Sequence, residues 1–356
     1  MKRLLLIGGA RPNFMKLAPL TRAFDQVGIT HELVHTGQHY DLLMSDIFFQ
    51  ELGLAKPAHE LGVGSGTPEE QTDAIIKALR PILKKGAWDA VLVVGDVTST
   101  AAATQAAVAE NIPVIHVEAG LRSFNPAMAE ERNRIFVDHE AQWLFTTEPG
   151  AKHNLLNEGV APERIYEVGN VMVDTMHLMR SQVERSTILT GLGVKKTEYG
   201  VVTLHRAALM QDKNIFHAVW KALRSIAQTL SLIAPLHPRA RALLTELALA
   251  SDDIRITDPL GYADMQRLIR DAKAVWTDSG GLQEETTVYG VPCFTIREDT
   301  ERPITIEQGT NVLVGCTQKG IEDAYTIFNH MPKQGSIPAL WDGHAAERIA
   351  NILAET

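Results

Sequence analysis

Cysteine is nearly absent from this chain: only Cys293 and Cys316 occur in 356 residues. Two cysteines without partner spacing argue against a disulfide framework and read as small, buried or semi-buried apolar residues in a reducing compartment. Neither they nor the histidines show the spacing of a zinc site, so no metal is expected. Basic charge is also in deficit, with 34 Lys and Arg against 43 Asp and Glu and a net charge of −9. Such a surface repels a phosphate backbone, which argues against nucleic acid as a partner. An anionic small molecule is still compatible, because a few arginines inside a cleft reverse the local field. Long apolar runs are missing as well, and none approaches the ~18 residues of a membrane span. The opening MKRLLLIGGARP resembles a leader, but its apolar run stops at a glycine pair and reads as a first β-strand. The expected address is the cytoplasm, with no membrane partner. The first βα turn, IGGARPNFMKLAPL, lacks the full G-x-G-x-x-G fingerprint, so a nicotinamide reading is weak. Low-complexity segments and short-period repeats are absent too.

What is present is an ordinary globular composition, 45% hydrophobic and 22% charged, in a chain long enough for two domains. Apolar strands alternate with helical stretches: LLLIGG, ELVHTG, AVLVVG, VIHVE, WLFTT and IYEVG, with DLLMSDIFFQEL and TPEEQTDAIIKALRPILKK among the helices. That series closes near GNVMVDTMHLM, and a second runs through GVVTLH, LIAPLH, IRITDPL, AVWTD, CFTI and NVLVG. Alternation of this kind predicts α/β architecture, here two Rossmann-like, doubly wound domains facing a cleft that holds the ligand. The expected domains are residues 1–170 and 171–356, with the closing helix HAAERIANILAE packing back on the first.

The richest stretch is 113–134, PVIHVEAGLRSFNPAMAEERNR. It predicts a buried strand ending at Glu118, a loop, and a helix whose first turn carries Glu130 and Glu131, with Arg134 one turn on from Glu130. First-turn acids also favour the helix dipole without any further role. Glu118 is harder to explain that way, because a carboxylate ending an apolar strand needs a cation, a ligand or a proton to exchange. Asp96, in VLVVGDVTSTAAAT, taken alone is a common Gly-Asp turn residue; beside Glu118 and Glu130 it becomes a third acid on one rim, with Thr98, Ser99 or Thr100 as helix caps. Crowded carboxylates keep an acid and a base available near neutral pH. Arg11 and Lys16 put two cations near a helix amino end, where an anion between them would relieve the dipole.

In the second half, VVTLHR and APLHPR place His205 with Arg206, and His237 with Arg239, at successive strand ends. In VWTDSGGLQEETTVYG a strand ends at Asp278, and Ser279, Gly280 and Gly281 let backbone N–H groups approach a phosphate at a helix start. Glu284 and Glu285, read in the first turn, are placed to accept from a ribose, and Arg297 and Arg302 add anion contacts.

In order along nearly the whole chain, RPNFMKLAPL, TGQHYD, VVGDVTST, HVEAGLRSFN with EERNR, VGNVMVDT, TLHR, PLHPR, DPLGY, TDSGGLQEE and TERP resemble the non-hydrolysing UDP-N-acetylglucosamine 2-epimerases. The nearer likeness is to the UDP-N-acetylhexosamine branch that feeds surface-polysaccharide synthesis. The resemblance implies a glycosyltransferase-B fold, a homodimer, a UDP-sugar substrate and no cofactor. It also implies inversion at carbon 2 through elimination of UDP to a 2-acetamidoglucal and its re-addition. On this basis Asp96, Glu118 and Glu130 are acid–base candidates and His205 lies near the leaving diphosphate. Arg11 with Ser279, Gly280 and Gly281 would hold the diphosphate and Glu285 the ribose, with His237 near the nucleotide. Gln38 and His39 match in type a loop that binds regulatory substrate in some members. Two departures stand out: Ala129 replaces a usual proline, and Ala207, Ala208 and Leu209 replace a usual polar run, removing polar contacts near the leaving group. A hydrolysing relative, a glycosyltransferase of the same fold and a binding protein without turnover are the alternatives.

Overall fold

The computed structural model describes residues 1–37 and 49–356, with the backbone alone at Ala207 and Ala208. The expected regulatory Gln38 and His39, and most of the helix expected over DLLMSDIFFQEL, lie outside the described residues. The chain divides into two compact units, residues 1–178 with 339–356, and residues 179–338.

In the first unit the strands are β1 (Arg3–Gly8), β2 (Thr30–His35), β3 (His59–Glu60), β4 (Ala90–Val94), β5 (Val114–Ala119), β6 (Trp143–Thr146) and β7 (Ile165–Glu167). They run parallel in the order β3-β2-β1-β4-β5-β6-β7. Both faces of the central strands are covered, which is why β4 reads as the unbroken apolar run AVLVV. Its core joins Leu5, Val91, Val93, Val114 and Leu144 to Leu79, Leu83 and Ala103 from the helices.

The second unit repeats the plan with β8 (Tyr199–Thr203), β9 (Ser231–Pro235), β10 (Ile254–Thr257), β11 (Ala274–Thr277), β12 (Cys293–Thr295) and β13 (Asn311–Leu313). Their order is β10-β9-β8-β11-β12-β13, again parallel. Trp276 stacks on Phe294 at 5.0 Å in its core. The doubly wound α/β reading therefore holds in both units. In each, the strand order reverses beside the first strand, between β1 and β4 and between β8 and β11. Helices diverge there and leave a crevice at the carboxyl ends of the strands.

The chain's last helix, Ala345–Glu355, returns to the first unit. Asp174 accepts from the N–H groups of Ala345 and Ala346 at 3.2 and 2.8 Å, and the Met1 ammonium donates to the Leu353 carbonyl at 2.7 Å. The division between units falls inside the helix Val171–Arg185. Its first half is tied to the amino-terminal unit, where Thr175 donates to the Met15 carbonyl at 2.5 Å.

Candidate active site

In the amino-terminal unit the site begins where β1 and β4 end. Asn13, buried in the helix Arg11–Val27, accepts from the N–H groups of Gly9 and Ala10 at 3.0 Å each and donates to the Val94 carbonyl at 3.1 Å. One amide thus spans the crevice floor. A Cβ on Gly9 would sit 2.1 Å from the Ser99 hydroxyl, so only glycine fits that turn. Arg11 is exposed. Lys16 is buried and pairs with Glu118; the anion that relieves this cation is a carboxylate of its own chain.

Glu118 is 3% exposed, with φ +71. The register of β5 against β6 slips beside it, between Val117 and Ala119. An irregularity of this kind re-aims a side chain, and a left-handed non-glycine residue costs about 1–3 kcal/mol unless its surroundings hold it. Asp96 follows Gly95 (φ +68) and pairs with Arg134, while its carbonyl accepts from the Asn133 amide at 2.9 Å. The helix beyond it starts at Thr98 with Val97 at its cap, so none of Thr98, Ser99 and Thr100 caps it; Thr100 donates to the Val94 carbonyl instead.

Glu130 and Glu131, alike in sequence, differ in surroundings. Glu130 is half-buried in the first turn of the helix Ala129–Glu140. Glu131 is buried and accepts from Ser123 N–H at 2.9 Å, Ser123 Oγ at 3.0 Å, Phe124 N–H at 3.0 Å and Arg134 Nη1 at 3.2 Å. Arg134 therefore ties Asp96 to the loop that leads from Glu118.

Behind this rim lies a network that sequence reasoning missed. His116 is fully buried, with Nδ1 2.7 Å from Asp138 and Nε2 2.8 Å from the Gly95 carbonyl. Asp138 also accepts from Gly120 N–H at 3.1 Å and Arg122 Nη1 at 2.7 Å, and Arg122 forks onto Glu158 at 2.7 Å twice. Burial raises the Asp138 carboxyl, but His116 and Arg122 outweigh it and hold it below its ordinary value. The turns bearing Asp96 and Glu118 are thus fixed through one buried carboxylate. Its sole sequence signal was a histidine inside an apolar strand.

The carboxyl-terminal unit presents cations and N–H groups. His205, exposed at the end of β8, has Nδ1 2.9 Å from Asp278. His237 caps the helix Pro238–Glu246 by accepting Arg239 N–H at Nδ1, 3.2 Å away. Burial, then Arg239 and His205, push its pKa down, which suits a neutral acceptor. The helix Gly280–Tyr289 starts behind Ser279, whose side chain makes no capping bond, and its first N–H groups suit an anion. A Cβ on Gly280 would lie 2.6 Å from both Arg302 Nη1 and Glu301 Oε1.

Arg302 is buried between Glu284, 2.8 Å from its Nε, and Glu301. Its charge is already matched by two carboxylates of the chain. Burial raises the Glu301 carboxyl, while Arg302 and Arg297 pull it well below the usual range. Glu284 and Glu285 lie one turn into the helix, not in its first turn, because the helix begins at Gly280. Glu285 is buried and accepts from the Tyr262 hydroxyl at 3.3 Å. The substituted run 207–209 opens the short helix Ala207–Gln211 and sends Leu209 into the core.

Two parallel α/β units, one with buried carboxylates at its strand ends and one with a glycine-led helix start and histidines, suit an enzyme that acts on an anionic ligand. The UDP-N-acetylglucosamine 2-epimerase family model matches residues 22–354. The UDP-N-acetylglucosamine 2-epimerase of Methanocaldococcus jannaschii is 36% identical over 99% of this chain and 98% of its own length. The UDP-2,3-diacetamido-2,3-dideoxy-D-glucuronate 2-epimerase of Pseudomonas aeruginosa is also 36% identical, over 99% of both chains. The crystal structure of the M. jannaschii enzyme with UDP-GlcNAc and UDP superposes with a TM-score of 0.92 over 100% of both chains, at 36% identity. The chain belongs to the UDP-N-acetylglucosamine 2-epimerase family, isomerases with a glycosyltransferase-B-like fold.

Proposed function

We propose that this chain interconverts UDP-N-acetylglucosamine and UDP-N-acetylmannosamine, or a close UDP-N-acetylhexosamine derivative, without hydrolysis. The observation that carries the reading is the buried Glu118, aimed by an irregular strand end and paired with Lys16 beside an Arg134-bound Asp96. No carbonyl acidifies the hydrogen on carbon 2, so its loss must be coupled to departure of the diphosphate. The proton passes to a carboxylate, the C–H electron pair becomes the C1–C2 double bond, and the C1–O pair leaves on UDP. Re-addition returns a proton to the opposite face of carbon 2 as a UDP oxygen closes on carbon 1.

In this reading Asp96, Glu118 and Glu130 exchange the protons, each such group contributing about 10²–10⁴-fold. His205 meets the leaving diphosphate, with Arg206 beside it. Arg11, Ser279, Gly280 and Gly281 hold the diphosphate, Glu285 the ribose, and His237 lies near the nucleotide. Lys16 and Arg134 act by fixing Glu118 and Asp96, and Arg302 by fixing Glu284 and Glu301 beside the diphosphate turn. Turnover in heavy water tests the mechanism: product that keeps its original hydrogen at carbon 2 rules it out, and irreversible release of free sugar points to hydrolysis instead.

A second substrate, UDP-2,3-diacetamido-2,3-dideoxy-D-glucuronate, is favoured by the equal identity to the P. aeruginosa enzyme. Proton NMR of each sugar nucleotide incubated with the protein separates the two. The active form proposed is a homodimer. Ile135 and Phe136 face outward on the helix Ala129–Glu140, packed beside the helix Thr98–Ala109, which exposes Val108. Light scattering at one chain mass, 39.1 kDa, rather than two would reject it.

A further inference from the structure

We propose that Asp278 is a positioning residue, one that fixes the ring orientation and proton placement of His205 and locks that histidine to the anion-binding turn at residues 279–281. The proposal rests on the reading of His205 as the group that meets the leaving diphosphate.

Asp278 directly follows β11 and His205 lies two residues beyond β8, neighbouring strands at the point where the order reverses; the two residues are 73 apart in sequence. The Asp278 carboxylate is 1% exposed. Its Oδ1 lies 2.9 Å from His205 Nδ1 and 3.2 Å from His205 N, and its Oδ2 accepts from the N–H groups of His205 at 2.9 Å and Arg206 at 2.8 Å. Below it, the Thr203 and Thr277 hydroxyls bond at 2.6 Å, and Ser279 N–H donates to Thr277 Oγ1 at 2.9 Å. Histidine, acid and anion turn are thus one hydrogen-bonded piece.

A carboxylate only accepts, so the ring proton facing it sits on Nδ1 and Nε2 is the atom left for substrate. A buried acid orients a working histidine in this way elsewhere. Among the described residues, charged or titratable neighbours include Arg206 in the same turn, His237 beside His205, and the Cys316 thiol beside Asp278. Burial raises the Asp278 carboxyl, but the His205 ring and the two N–H groups outweigh it and keep it ionised.

Asp278→Asn tests the assignment. Its amide oxygen still accepts both backbone N–H groups, whereas its NH₂ faces Nδ1 and only donates, which moves the ring proton to Nε2. Expected are an unfolding midpoint and UDP affinity close to the parent, a kcat lower by about 10²-fold or more, and little change in KM. In a His205→Gln background the same change should add less than about threefold, since coupled residues are not additive. Nitrogen-15 NMR should find the neutral His205 ring protonated at Nδ1 in the parent and at Nε2 in Asp278→Asn. Parent-like kcat in the variant, a full additional loss in the His205→Gln background, or an Nε2 proton in the parent ring each overturn the proposal. The NMR result needs no turnover, so a parent protein inactive on UDP-sugars would defeat the epimerase reading and still leave this assignment decided.

Discussion

Lys16→Met removes one charge from the acid–base rim and keeps the volume of its stem. Lys16 and Glu118 are 8% and 3% exposed at their side chains, so neither charge has water to fall back on. Deleting one partner of such a pair costs about 3–5 kcal/mol, because the survivor stays buried with its main countercharge gone. For a unit of roughly 200 residues that is a fall of about 6–20 °C in unfolding midpoint. Glu118 also sits at φ +71, a backbone cost that its pairing with Lys16 helps to offset. Adding Glu118→Gln to Lys16→Met removes the second charge and should return most of the lost stability, while deuterium incorporation at carbon 2 stays absent. Calorimetry on the parent, both single variants and the double variant closes the cycle. A Lys16→Met protein within about 1 kcal/mol of the parent, or a double variant no more stable than the single, would refute the reasoning.

Three further outcomes follow from other buried groups. Asp138→Asn leaves His116 and Arg122 buried with a poorer acceptor and should lower both stability, by about 3–5 kcal/mol, and turnover; unaltered turnover in a folded variant would show that the rim does not depend on it. Gly280→Ala drives a methyl against the Arg302 and Glu301 side chains, 2.6 Å away. It should destabilise by about 1–3 kcal/mol and weaken UDP binding in titration calorimetry, and parent-like affinity counts against the packing argument. Burial pushes the Asp174 carboxyl up to about 6, against the pull of the Ala346 and Ala345 N–H groups. The folded state then binds this proton more tightly than the unfolded one, so its contribution is full below about pH 4 and is lost as pH rises through 6. Asp174→Asn does not titrate; the stability of the parent minus that of the variant should drop by about 2 kcal/mol between pH 4 and pH 7, and a constant difference would contradict it.

The strands were legible because a strand covered on both faces is written as a continuous apolar run, and the turns after them because glycine must stand where the backbone turns or crowds, as at Gly9 and Gly95. The pairing of charges was not legible. The helix Ala129–Glu140 buries Glu131, Arg134, Val137 and Asp138 and turns Ile135 and Phe136 outward. A search for an apolar stripe reads such a helix inside out. Glu130 and Glu131 separate only by helix phase, which places one against Ser123 and Phe124 and leaves the other half-exposed. Lys16 and Glu118, or His205 and Asp278, are joined by strand order across about a hundred and 73 residues, a distance no local pattern records. What decides the role of each ionisable group is therefore the partner delivered by a neighbouring strand end. For a buried acid held this way, replacing the partner should lower turnover much as replacing the acid does, and substitutions that touch no substrate should be among the most damaging in the chain.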